Sequence, residues 1–269
     1  MLRHSFSRLV TTVALGAILV HTNGCFDSST GPSDSTEAPA MPSAERLTFD
    51  FGFFQEPPAL ERASYNNFFN AYIRGVVAGA VTELLLTPPV YAFSLALHTP
   101  PTHQEDGSWL WIYTYSQGSE EVQIRLRGEA IDRERVAWQL RVTNLAEGID
   151  KALWFEGETW NDADAGYFVF SDFENGLSDV SRIDWGSDSD GNFLRLTDQN
   201  DNPGDSLEFR EKGSDKSFTW SDDSDPDQSW YVKWNEATQA GSLRAPDYNG
   251  GEKACWDENH RDTVCPDAS

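Results

Sequence analysis

The chain has 269 residues and carries 44 Asp+Glu against 20 Lys+Arg, a net charge of −24. That balance excludes a nucleic-acid binder, which needs a basic face to displace counterions from phosphate. It favours solubility and suits a salty habitat or divalent cations.

Residues 1–24 read as an export signal. Met1–Arg8 holds Arg3 and Arg8 and no acid, and Leu9–Val20 is an uncharged run the length of a signal h-region. The run is shorter than the roughly twenty apolar residues that a membrane-spanning helix needs. His21-Thr22-Asn23-Gly24-Cys25 follows, with a small residue directly before a cysteine. This stretch resembles the lipobox of bacterial lipoproteins and departs from it at Thr22 and Asn23, where Leu and a small residue are usual. The resemblance implies cleavage before Cys25, lipid on its thiol (diacylglycerol, with palmitate) and a membrane anchor in the cell envelope. Phe26, in the place where Asp would signal inner-membrane retention, implies the outer membrane, on its periplasmic or its outer side. Loss of residues 1–24 removes Arg3 and Arg8 and no acid, which leaves −26. Residues 25–50 are expected to form a flexible tether, since Phe26–Ala40 is rich in Ser, Pro, Gly and acids. Residues 51–269 are then one domain with a single core.

That domain opens with a helix. Pro57-Pro58 is a plausible start, and apolar pairs recur every fourth residue at Phe68/Phe69, Tyr72/Ile73, Val76/Val77, Ala80/Val81 and Leu84/Leu85. A step of four against a turn of 3.6 winds the apolar stripe around the cylinder, so the helix from about Ala59 to Leu86 is expected to be enclosed. Ala71, Gly75 and Gly79 form a small-residue ridge suited to close contact. Pro88-Pro89 is expected to end the helix, with the apolar piece Val90–Leu97 packed beside it.

From Ser108 the period changes to two. Trp109, Trp111, Tyr113 and Tyr115, then Val122, Ile124 and Leu126, then Val136, Trp138, Leu140 and Val142 alternate with other residues, mostly polar, as half-buried antiparallel strands do. Eight more such stretches end near Ala245, each set off by a turn cluster; Asp190-Gly191 reads as a type I′ hairpin turn. The fold expected is mainly β with an N-terminal helix: about eleven strands in a curved up-and-down meander, barrel or half-barrel, packed on or around the helix. Alternates such as Arg125, Arg127, Arg141, Arg195 and Arg210 should face water.

With Cys25 given to lipid, Cys255 and Cys265 remain, separated by nine residues. An oxidising compartment would close them into a disulfide. A zinc site is the weaker alternative, because only His260 lies between them and no C-x-x-C pair exists. The order of tether, tryptophan-rich first strands and the Pro246–Cys265 segment is similar to exported β-rich lipoproteins of marine bacteria, a resemblance that brings no activity with it.

No catalytic, cofactor or metal site emerges. His98, His103 and His260 stand in no nucleophile–base context and read as exposed loop residues. Asp188–Asn192 and Asp222–Asp227 offer alternating oxygen donors for calcium, but the first fails the EF-hand spacing, and solvated turns are the leading reading. Trp109, Trp111, Trp154, Trp220, Trp230 and Trp234 raise the question of what the sheet encloses. The expectation is a non-enzymatic envelope lipoprotein that binds or carries an apolar ligand, by fold-level analogy with half-barrel lipoprotein carriers. A surface module for glycan or protein is the alternative, and a hydrolase a weaker one.

Overall fold

A computed structural model describes residues 37–54, 65–117, 120–173 and 175–266. Cys25 and the expected signal peptide lie outside them. Among the described residues one α-helix, α1 (Asn66–Ala96), precedes fourteen strands. These are β1 (Thr102–His103), β2 (Trp109–Gln117), β3 (Glu120–Ala130), β4 (Arg135–Asn144), β5 (Ile149–Trp160), β6 (Ala165–Asp172) and β7 (Leu177–Asp188). They continue as β8 (Gly191–Asp198), β9 (Ser206–Lys212), β10 (Asp215–Ser221), β11 (Trp230–Asn235), β12 (Gly241–Arg244), β13 (Ala254–Trp256) and β14 (Asp262–Thr263).

Each strand pairs antiparallel with its neighbour in sequence, from β1 through to β14. The eleven expected strands correspond to β2–β12. The three additional ones are two or three residues long, too short for a period of two to show. The barrel alternative is corrected: β1 and β14 are edges that do not pair with each other, and with two residues each they offer almost no ladder for closure. Alternation puts one side chain in two on the helix-facing side. Leu194, Phe209, Phe218, Val232, Leu243 and Ala254 oppose one another in register across β8–β13, and all are buried. The arginines face outward and pair along and across strands, as in Arg182 with Asp184 and Arg195 with Glu208.

Helix α1 runs across this face, about 46 Å long at 1.5 Å per residue. It does not stop at Pro88-Pro89. Pro89 is buried, and four residues later the Phe93 ring packs 5.2 Å from Trp138 and 5.5 Å from Phe168. Burial of Phe93, Ala92 and Ala96 outweighs the roughly 3 kcal/mol that an interior proline costs, so Val90–Ala96 extends the helix instead of packing beside it. The expected start near residue 59 lies outside the described residues. At Asn66 the missing local cap is supplied from β14, where the Asp262 carboxylate accepts the N–H groups of Asn66 (3.3 Å) and Asn67 (2.8 Å). Asn67 Nδ2 also donates to Cys255 O at 2.7 Å, and Arg74 pairs with Asp247.

The helix is not enclosed. Phe69 (39%), Ile73 (45%), Val76 (46%) and Val77 (59%) remain exposed. An open sheet covers only one side of a helix, and a stripe that winds around the cylinder must then leave part of itself in water.

The sheet side of α1 meets a segment expected, as far as residue 50, to be tether. Ala38–Phe54 packs on the domain, with Leu47 and Phe54 buried and Met41, Phe49, Phe51 and Phe53 partly so. Its rings lie between helix and sheet. Phe51 stacks edge-on to Phe209 at 5.1 Å and lies against Gly79 on α1; Phe54 lies 5.7 Å from Phe218 and fills the space beside Gly75. Both ends of α1 touch strand residues directly, through Phe68 on Trp256 and Phe93 on Trp138. Between those contacts the rings of Phe51 and Phe54 separate α1 from Phe209 and Phe218, and the space between helix and sheet that Ala38–Phe54 fills is a trough.

Candidate functional site

The trough and its polar end form the site. Its walls are apolar: Trp185, Leu194, Phe209, Phe218, Val232 and Trp234 are all at most 3% exposed. The filling segment contributes rings at alternate positions 49, 51 and 53 and at 54, with Phe49 at 4.8 Å from Phe209, Phe53 stacked at 5.5 Å on Trp234, and Phe54 at 4.9 Å from Trp234. Its main-chain hydrogen bonds are all internal, such as Arg46 N to Ser43 O and Phe54 N to Phe51 O; among the described residues none joins it to the sheet or to α1. Two ion pairs tie it down, Arg46 with Asp164 (3.0 Å) and Asp50 with Lys216 (4.0 Å). Side-chain burial holds this segment in place.

Lys216 lies on the inward face of β10, next to Phe218, with its side chain 6% exposed. Its Nζ is 2.8 Å from Glu236, 3.6 Å from Glu211 and 4.0 Å from Asp50, and 5.8 Å from the Phe49 ring. Burial opposes the charge, but the hydrogen bond to Glu236 and the fields of Glu211, Glu236 and Asp50 outweigh it and raise the ammonium pKa. A lysine held protonated is a point charge for an anion, and it is no nucleophile. Its cross-strand partner on β11 is Trp234, whose indole N–H is buried without a hydrogen-bond partner.

A cleft of about 320 Å³ opens beside this end, lined by Gly52, Phe53, Glu236, Gln239 and His260. Gln239 and His260 both adopt left-handed backbone, at φ +63° and +61°. His260 is not an exposed loop residue. Its ring stacks on Phe68 (centroids 3.8 Å apart, planes 7° apart), its Nε2 is buried without a partner, and burial lowers its pKa against the opposing field of Asp257. The lining includes no hydroxyl or thiol for a base to activate.

Cys255 and Cys265 form the expected disulfide, with Cα atoms 5.2 Å apart, and bracket the loop that carries His260 and Asp262. His98 and His103 are exposed. Cys25 lies outside the described residues. The acidic loops are engaged as turns: Asp188 takes Arg210 at 2.9 Å and Asp190 N at 2.8 Å, and Asp222 accepts Ser224 Oγ and Asp225 N. In the β7–β8 turn only Gly191 has positive φ (+108°), so it is not the type I′ turn expected, which needs two such residues. Among the described residues no group of three or more His, Cys, Asp and Glu is placed to hold a metal.

Two signals went unread in the sequence. Leu47, Phe49, Phe51 and Phe53 alternate with Thr48, Asp50 and Gly52, a period of two hidden at the edge of a polar tether. Lys216 shares its strand parity with Phe218 and Trp220, which puts a charge on the apolar face. Set against protein-family models, curated proteins and solved structures, the chain matches none of them.

Proposed function

We propose that this chain is a non-enzymatic lipoprotein of the cell envelope, anchored in the outer membrane through a lipidated Cys25. Its open sheet serves as a half-barrel that binds and carries an apolar ligand in the trough now filled by Ala38–Phe54. One observation carries the reading: the trough's contents are a segment joined to its walls by side chains alone. Such a filling can be exchanged for a molecule with similar apolar surface and no backbone to satisfy. The energies are of one size. Burying five large apolar side chains contributes on the order of 10 kcal/mol, and a sixteen-carbon chain at about 0.8 kcal/mol per CH₂ contributes as much.

The exposed stripe of α1 supports a role at a membrane surface. Asn66–Thr87 is apolar and long enough by composition to cross a bilayer, yet Arg74 is paired to Asp247 and the helix is packed on the domain. Phe69, Ile73, Val76 and Val77 then suit shallow contact with lipid.

A crosslink tests the exchange. A Cβ at position 79 would lie 3.6 Å from that of Phe51, within disulfide range. The Phe51→Cys/Gly79→Cys protein should take up a dansylated fatty acid when reduced and refuse it when oxidised, a difference larger than the parent chain shows when Cys255–Cys265 alone is reduced. Equal uptake by the oxidised form would show that the segment does not gate the trough.

A further inference from the structure

We propose that the ligand of this trough is an acyl chain with an anionic headgroup, which displaces Asp50 from Lys216 and lies deeper than Asp50 does, where it also meets the indole N–H of Trp234. The inference rests on the carrier reading and narrows it to one chemical class. The filling segment itself supplies the pattern. Asp50 stands between Phe49 and Phe51, so a carboxylate near Lys216 is flanked by two rings packed on the trough wall at Phe209. This is the arrangement of an acyl carboxylate, apolar body inside and charged end at the rim, built from side chains.

One donor at that point is unused. Trp234 is 3% exposed, and Phe49, Phe53 and Phe54 all pack on its ring, yet its Nε1 has no acceptor. A buried donor without a partner costs free energy that an arriving oxyanion would restore. Lys216 lies opposite it on the neighbouring strand, at the spacing where cross-strand side chains meet. Asp50 sits 4.0 Å from Nζ and is 69% exposed, so its carboxylate is a loose partner at the rim. Exchange of one carboxylate for another leaves the local charge unchanged, whereas a neutral headgroup would leave Lys216 with fewer acceptors. Glu211 and Glu236 remain on the lysine in either state and keep it protonated. The cleft bordered by Gly52, Phe53 and Glu236 opens beside this point and gives a headgroup access from solvent.

The test compares hexadecanoic acid with hexadecanol on the unmodified full chain, read by native mass spectrometry and by tryptophan fluorescence. The acid should bind about tenfold more tightly or better, as expected for a charge-assisted contact near a buried donor, with the difference shrinking as salt is raised. Asp50→Asn, a near-isosteric change at a side chain 69% exposed, should widen the preference by removing the competing carboxylate. Equal binding of acid and alcohol would overturn the headgroup assignment and leave the carrier reading standing. Binding of neither would overturn both. If Lys216→Met folds, it should abolish the preference while retaining the alcohol; a retained preference counts against the assignment.

Discussion

Phe54 occupies the space that a side chain at Gly75 would need: a Cβ built there falls 2.5 Å from the ring. The small-residue ridge of α1 is thus a seat for the rings of the preceding segment. Gly75→Ala should destabilise the domain by about 1–3 kcal/mol, the usual cost of overpacking, despite the better helix propensity of alanine. Gly79→Ala, whose Cβ would meet Phe51 at 3.3 Å, should stay within about 1 kcal/mol of the parent. Urea unfolding of both, with Phe54→Ala added to the first to relieve the clash, measures the coupling. Additive effects would mean that the ring does not sit there.

The exposed stripe makes a second contrast. Val77→Asp should cost no more than about 1 kcal/mol, because the side chain is 59% exposed and the charge stays hydrated. Phe218→Ala, at a fully buried position beneath Phe51 and Phe54, should cost about 3–5 kcal/mol. Thermal melting separates the two by many degrees. Equal losses would mean that α1 is covered on both sides after all.

What the sequence made legible was periodicity. The alternations Val122–Leu126 and Val136–Val142 located β3 and β4, and their repetition gave the order of the meander through β12. Where an element is too short to repeat, as in β1, β13 and β14, no pattern exists to read. The enclosure of α1 was misjudged for a different reason. An all-round apolar helix says that it needs cover, while the amount of cover depends on whether β1 reaches β14, a property of the whole sheet. Pro88-Pro89 misled because a local propensity was weighed without Phe93 and the walls it packs on. Of the site, the Cys255–Cys265 link and Trp234, as one of six tryptophans without an assigned role, were legible. Lys216 and Trp234 are eighteen residues apart and become partners only through the β10–β11 register.

The proposed anchor and the stripe make separable contributions to membrane association. Cys25→Ala should release most of the protein from isolated envelopes, since the stripe alone offers only shallow contact. The released protein should still bind zwitterionic vesicles weakly, and anionic vesicles less, given a charge of −26 without residues 1–24. Ile73→Asp with Val77→Asp should remove that residual binding. Full retention of the Cys25→Ala protein in the membrane fraction would refute the lipid anchor; vesicle binding unaffected by the stripe mutations would refute the stripe's part.

Asp262 links the disulfide loop to the start of α1, 196 residues away in sequence from Asn66. A cap carboxylate typically contributes about 0.5–2 kcal/mol, so Asp262→Ala should lower stability by that order and fray the first turn. Reduction of Cys255–Cys265 should act on the same region and cost about 2–3 kcal/mol. Hydrogen exchange should report both, with protection lost at Asn66–Asn70 and residues 254–263 and retained in β4–β9. Loss of protection confined to the loop would show that it does not brace the helix.

His260 provides a pH signature. Its ring lies flat on Phe68 with Nε2 buried and unpartnered, so burial disfavours the imidazolium and lowers the folded-state pKa below the ordinary 6.5. In the unfolded chain the imidazole takes up its proton at the ordinary value, and the unfolded state therefore binds more protons as the medium is acidified. The contribution to stability is fully present above pH 6.5 and is lost as pH falls through the lower folded value. Asp132, Asp188, Asp222 and Asp257 also have lowered pKa values, but theirs start from 3.8, so their losses come at more acid pH. Between pH 7.5 and 5 the melting temperature should therefore fall on account of His260. His260→Phe keeps a ring on Phe68 and removes the titration, so its melting temperature should be flat across that interval and converge with the parent's at the alkaline end. A slope unchanged by the substitution would mean that His260 titrates in water and that the wall of the cleft is open at its ring.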